Sequence, residues 1–275
     1  MADIYKPGGY PIEQEKREEI AALPSDEVLR QLVGRYQEVK FDPRKIIRIE
    51  NQGSMGACAG HSLTSVMEFC HAIASGKTGL QLSRAAGYFE SQRLSGITGD
   101  KGSLISDGVK LAMNTGICEE RLWPYPSRYN PRRPSNWSEV LENAAQYKIG
   151  KSLRITSYEG FRTFLGSGQG GIHIGISWGR GMSQKVVEQH SSSGGGHAIA
   201  GLCLSERTDS QGRPYVWIAN SWSESWGQNG WSEWAPRAIE QMLRHRFTVM
   251  VGLSDMPNVE PREFTVDDLK KKLRV

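Results

Sequence analysis

The sequence predicts an α+β fold, and two observations carry that prediction. Apolar residues recur at three- and four-residue steps through the first half, the period of a helix. Short segments rich in Ile, Val and aromatics, split by Gly and Ser, fill the second half and read as strands. Helices followed by strands, rather than alternating with them, is the α+β pattern. With 275 residues the chain is long enough for one large domain or two lobes with cores of their own.

Residues 1–24 are polar, with Pro and Gly early and the charged run EQEKREE. Ser25 and Asp26 are placed to cap a helix running to about Tyr36, with Val28, Leu29, Leu32 and Val33 on one face. Ile46, Ile47 and Ile49 suggest a short extended segment. From Cys58 onward Leu63, Val66, Met67, Cys70 and Ile73 trace a helical face, and Gly76 is its expected stop. Leu82–Leu94, with Ser83 near its start, and Ser106–Thr115, ended by Gly116, read as two more helices. The stretch from about 122 to 137, WPYPSRYNPRRPSNW, is loop.

The segments YKIGKSLRIT, GIHIGISW, HAIAGLCLSE and PYVWIANSW read as strands, and SYEGFRTFLGSG as a helix among them. PRAIEQMLRHR predicts another helix and FTVMVGLS a strand. The run SSSGGG at 191–196 is a flexible connection. A linker and a short helix capped by Thr265 are expected at the end of the chain.

Composition narrows the functional classes. The balance of 34 basic against 30 acidic residues, net +4, does not argue for nucleic acid or a membrane surface, and no nucleic-acid motif is present. No apolar run approaches the roughly 20 residues needed to span a bilayer, and the N-terminus has no signal-peptide pattern. The four cysteines, Cys58, Cys70, Cys118 and Cys203, fit no zinc spacing and no dense disulfide framework. A reducing, cytoplasmic compartment with free thiols is expected, with no metal or other cofactor.

The chemistry centres on NQGSMGACAGHS, residues 51–62. Cys58 sits where a helix begins, and the free N–H groups and dipole of a helix start favour a thiolate. Gly53, Gly56 and Ala57 allow a tight turn and leave room for a substrate. Such a thiol needs a histidine from elsewhere in the chain and a group to orient it. Of the six histidines, His197 is best placed, at the head of the apolar segment AIAGLCL after a Gly-rich loop. Asn220 follows a strand, and its amide suits it to hold an imidazole N–H without adding charge. Around it lie five of the eight tryptophans: Trp217, Trp222, Trp226, Trp231 and Trp234.

Together these elements resemble the papain-like cysteine peptidases. Residues 52–58, QGSMGAC, are similar to that family's QGxCGSC motif; GGGHAIAGLCL resembles its histidine strand, and NSWSESWGQNGW its NSWGxxWGxxGY segment. GDKGSLISDGVKLAMNTGICEERLWPY resembles its glycine-containing loop and following helix. The resemblance implies a two-lobed fold, a helical lobe at about 42–140 and a β-barrel-like lobe at about 141–255, with the active-site cleft between them. Residues 1–41 would be an N-terminal extension and 256–275 a tail, either one a possible contact for a protein partner. It further implies a peptide or protein substrate cleaved through an acyl-enzyme on Cys58. His197 would be the proton partner and Asn220 its orienter, with Gln52 and the Cys58 N–H forming the oxyanion hole. Gly102, Ser103, Ile105 and Trp222 would line the substrate site, Ile105 favouring apolar side chains.

The departures from that pattern carry information of their own. Met55 and Asp100 stand where the family's cysteine bridge is usual, which fits a reducing compartment. Ala59 replaces the aromatic after the nucleophile, Gly196 replaces Asn or Asp before the histidine, and Ser103 replaces a second glycine. Fewer than 58 residues precede the nucleophile, too few for the family's usual inhibitory pro-region, so residues 1–40 are expected to be a structural arm unless control is by other means. The second reading is a binding or assembly protein on the same fold, for example a viral or phage particle component, with weak or no proteolysis.

Overall fold

A computed structural model describes residues 8–27, 29, 38–254 and 271. Its central helix is α2 (Cys58–Ser75), ended by Gly76 in the left-handed conformation that only glycine adopts without strain. Against it pack α3 (Arg84–Ser95) and α4 (Ile105–Asn114). Ser83 caps α3 by accepting from the Ala86 N–H. A buried ion pair, Arg84 to Glu68 at 2.7 Å, ties α3 to α2. Helices α1 (Arg17–Ala21) and α5 (Trp137–Ala144) complete this half.

The second half is a seven-stranded sheet among the described residues. Its order is β1 (Lys151–Arg154), β7 (Val249–Ser254), β2 (Gly171–Ser177), β4 (Gly196–Thr208), β5 (Pro214–Ala219), β6 (Trp231–Trp234) and β3 (Val186–Val187). All pairs are antiparallel except β3 with β6. One face packs on α2. The other is covered by α6 (Tyr158–Gly166) and α7 (Pro236–Arg244), so β2, β5, β6 and β7 are buried along their whole lengths. Two apolar clusters result, one around Leu63, Phe69 and Phe89 between the helices and the sheet, the other around Phe161, Phe164 and Trp234 beneath it.

Several expectations change. Where Ser25 and Asp26 are expected to open a helix, Asp26, Glu27 and Leu29 lie in a 3-10 turn. Ser25 bridges to Arg154, and the Asp26 carboxylate accepts from the Thr156 and Ser157 N–H groups and hydroxyls, steadying the entry to α6. The remainder of that expected helix lies largely outside the described residues, as does the Thr265 cap. Ile46, Ile47 and Ile49 follow a 3-10 turn (Pro43–Lys45) and join no strand; their side chains are simply buried in the core. Helix α5 begins at the end of the segment read as loop.

Candidate active site

Cys58 is the first residue of α2, and the N-cap position before it, Ala57, offers no side chain to the free N–H groups of the first turn. Those donors are left for the sulfur and for whatever approaches it. The approach loop is shaped by Gly53 at φ +61°, whose N–H is held by the Asn51 side chain. The loop is also tied across to Asp100. One carboxylate oxygen of Asp100 accepts from the Gly56 N–H at 2.8 Å and from the Tyr88 hydroxyl at 2.7 Å. A hydrogen-bonded bridge thus spans nearly the position where the family pattern has a covalent one.

His197 is the second residue of β4 and fully buried. Its Nε2 lies 2.8 Å from Asn220 Oδ1, which also accepts the Ser221 N–H. An amide oxygen can only accept, so Nε2 carries the proton and Nδ1 carries the lone pair. Among the described residues Nδ1 has no hydrogen-bond partner, Cys58 included. The indole of Trp222 stacks on the imidazole at 4.4 Å between centroids, and Trp178 meets it edge-on at 5.0 Å. The pair walls water away from the His197–Asn220 bond.

Gln52 is buried beside them. Its amide oxygen accepts from the Ser221 hydroxyl at 2.6 Å, which orients the amide nitrogen, and that nitrogen donates one hydrogen to the Met55 carbonyl at 2.9 Å. The second amide hydrogen is uncommitted. His61, the nearest histidine in sequence, is engaged elsewhere: its Nδ1 lies 3.0 Å from the Ala57 carbonyl and its ring packs edge-on against Tyr125.

The remaining positions meet at the N-terminal segment of the same chain. The Gly8 N–H donates to the Gly196 carbonyl at 2.8 Å, and the Ser103 N–H donates to the Gly9 carbonyl at 3.4 Å. Gly9 lies on Gly56 and Gly102, so close that a Cβ on Gly9 would come within 2.5 Å of the Gly56 carbonyl. The Tyr10 ring, 1% exposed, enters a slot beside Ile105 and Gly175. Residues 8–10 therefore run between the start of β4 on one side and the Gly102–Ile105 segment on the other, over Cys58. Of the residues expected to line a substrate site, Gly102, Ser103 and Ile105 touch this segment or its slot. Trp222 instead roofs His197.

Charge states follow from that cover. Burial pushes the Cys58 thiol up to about 12, against the smaller opposing effect of N–H groups of Ala198, Ala59, Cys58 itself and Gly9. Burial likewise lowers His197 to about 4, with the Asn220 bond acting weakly the other way. In this covered state the pair is a neutral thiol and a neutral imidazole. Sequence reasoning did not find Tyr10, Ser221 or Trp178. The pair Gly8–Gly9 next to an aromatic, inside an otherwise charged leader, was the available signal for the first.

Comparison with known proteins places these features. The family model described as papain family cysteine protease matches residues 38–244. The chain is 26% identical over 206 residues to pro-cathepsin H of Mus musculus, and 23% identical over 203 residues to the probable cysteine protease RD19B of Arabidopsis thaliana. These matches cover 66% and 69% of this chain, and the chain spans about half the length of both relatives, 54% and 55%. Among solved structures, xylellain, a cysteine protease from Xylella fastidiosa, superposes with a TM-score of 0.67 at 20% identity, covering 91% of this chain and 97% of that one. Digestive procathepsin L2 from Tenebrio molitor also gives 0.67, at 16% identity over 90% and 78%. Likenesses at that identity establish a shared fold.

Proposed function

The chain belongs to the papain family of cysteine proteases, and we propose that it hydrolyses peptide bonds through an acyl-enzyme on Cys58. The observation that carries this is the tautomer of His197. With Nε2–H committed to Asn220, the imidazole presents a lone pair at Nδ1, the form required to take the Cys58 proton. The resulting thiolate attacks the carbonyl carbon. The Cys58 N–H and the uncommitted Gln52 amide hydrogen hold the developing oxyanion, the imidazolium returns its proton to the leaving amine, and water hydrolyses the thioester.

All four cysteines are buried and none is joined in a disulfide, and Asp100 is bonded to Gly56 near the site of the family's bridge; both support a reducing compartment. Among the described residues no helix is long and apolar enough to cross a membrane. Peptide substrates are the partners this site suits.

The test is turnover of a fluorogenic peptide library at neutral pH, with mass mapping of the adduct left by a thiol-directed epoxide. Cleavage with labelling confined to Cys58, and a fall of about 10²–10⁴-fold in the His197→Ala variant, is expected. Labelling of Cys58 no faster than of Cys70, Cys118 or Cys203, with no cleavage, both in the full chain and in a Tyr10→Gly variant that loosens the segment over Cys58, sinks the reading and leaves the binding protein.

A further inference from the structure

We infer that Ser62 and His173 are positioning residues: a relay of two hydrogen bonds, from His173 through the Ser62 hydroxyl to the Ile199 carbonyl, fixes the helix that carries Cys58 against the strand that carries His197. This rests on the reading of Cys58 and His197 as nucleophile and base, and concerns what holds the two in register.

The relay has a direction. Ser62 Oγ lies 2.7 Å from the Ile199 carbonyl oxygen, which can only accept, so the hydroxyl hydrogen is committed there. The same Oγ lies 2.8 Å from His173 Nδ1 and accepts from it. Nδ1 therefore carries the proton and Nε2 the lone pair. That lone pair is buried and, among the described residues, has no partner. Burial lowers the ring to about 3, so it stays neutral and the relay keeps one form at neutral pH. A leucine in that place would leave no orphaned acceptor. What the histidine adds is the Nδ1–H.

Ser62 departs from the habit of the helix hydroxyls around it. Thr64, Ser75, Ser91 and Ser95 each turn back to the carbonyl four residues earlier in their own helix. For Ser62 that carbonyl would be the one of Cys58. With His173 donating to it, the Ser62 hydroxyl reaches across to β4 instead. Strand β2 is shaped for this. Ile172, Ile174 and Ile176 belong to the cluster beneath the sheet, so alternation turns Gly171, His173, Gly175 and Ser177 toward α2. Gly171 lets strand and helix approach: a Cβ there would stand 3.3 Å from Val66 Cγ1.

Both ends of the relay adjoin the reacting groups. Ser62 follows Cys58 by about one turn of α2. Ile199 is two residues after His197 on β4, and the Ala198 N–H between them acts on the Cys58 sulfur. Fixing the Ile199 carbonyl fixes the stretch of β4 that carries both the imidazole and that N–H.

The test uses full chains in which Tyr10→Gly, common to all, loosens the segment over Cys58. Four further changes are compared: Ser62→Ala, His173→Leu, His173→Asn and, as control, Thr64→Val, which takes a buried hydroxyl from the same helix. Asparagine keeps an N–H donor near the place of Nδ1, and leucine fills the space without one. Two quantities are read: kcat and KM on a cleaved peptide, and the pH midpoint of Cys58 alkylation by iodoacetamide, mapped by mass spectrometry, which follows thiolate formation. Ser62→Ala and His173→Leu are expected to lower kcat about ten- to a hundredfold, the scale for a misplacement of about 1 Å, with KM changed less than about twofold. Both should raise the alkylation midpoint by about one pH unit, since an imidazolium held farther off stabilises the thiolate less. His173→Asn and Thr64→Val should stay near the parent in both. A merely structural role lowers melting temperature and leaves the midpoint in place. Parent values in Ser62→Ala and His173→Leu overturn the proposal, as does a loss in Thr64→Val equal to that in Ser62→Ala. A His173→Asn variant as impaired as His173→Leu overturns the part given to His173. Ser62→Ala combined with His173→Leu removes donor and acceptor together and stands in for a single variant that does not fold. If the parent cleaves no peptide, the peptidase reading fails, and the alkylation midpoint alone decides the relay.

Discussion

Asn220 decides which nitrogen of His197 carries the proton, and Ser221 plays the corresponding part for Gln52. Both side chains belong to one turn after β5, so a single backbone segment orients both the proposed base and the proposed oxyanion donor. Replacing Gln52 by Ala is expected to lower kcat about 10²–10³-fold with little change in KM, because the amide acts on charge that develops only in the transition state. Ser221→Ala, measured by steady-state kinetics, should reproduce part of that loss, since the Gln52 amide would lose the hydroxyl that orients it. Cys58, His197, Asn220 and Gln52 were legible in the sequence because each sits in a short motif of small and aromatic residues. Ser221 sits inside the same motif and was passed over, since a serine after an asparagine carries no signal until Gln52 is brought against it from 169 positions away.

At the scale of elements, α2, α3 and α4 could be placed because they are punctuated, by Ser83 at one start and by Gly76 and Gly116 at two ends. Helix α5 and strands β3 and β6 escaped for the opposite reason. The first emerges from a proline-rich run, and the strands are two and four residues long, too short for a period to show. The loop before α4 depends on Asp100, which links it to the loop before Cys58 through Gly56 and to α3 through Tyr88. Asp100→Ala should cost about 1.5–3 kcal/mol in denaturant unfolding, the range for hydrogen bonds to a charged group. It should also raise hydrogen exchange at the Gly56 amide. Gly175→Ala narrows the Tyr10 slot against Ile105, so it is expected to speed alkylation of Cys58 in the full chain.

For the molecule as a whole, burial of titratable groups sets a pH window of stability. His61 and His173 are lowered to about 3, and His197 to about 4, all chiefly by burial. Below the ordinary value of 6.5 the unfolded chain takes up protons that the folded chain refuses, so stability falls as pH drops from there toward those lowered values. On the alkaline side the Cys58 and Cys203 thiols, raised to about 12, retain protons that the unfolded chain gives up above 9.0, so stability falls again as pH rises. Melting temperatures measured across pH should therefore fall above about 9, where Cys118, raised to about 11, adds to the loss, and fall again in acid, where Glu68, raised to about 7 by burial, offsets part of the loss from the three buried histidines. The arm was the least legible feature at this scale. Its placement depends on glycines at 9, 56, 102, 175 and 196 meeting in space, and no local pattern announces such a meeting. The tryptophans beside His197 add an optical property to this picture. An imidazolium quenches an excited indole in contact with it, and a neutral imidazole does so far less. With Trp222 stacked on the ring and Trp178 at its edge, the intrinsic emission of the protein reports the charge of His197. Emission that dims near pH 4 in the covered chain, and at higher pH once the cover lifts, would make opening visible without any label.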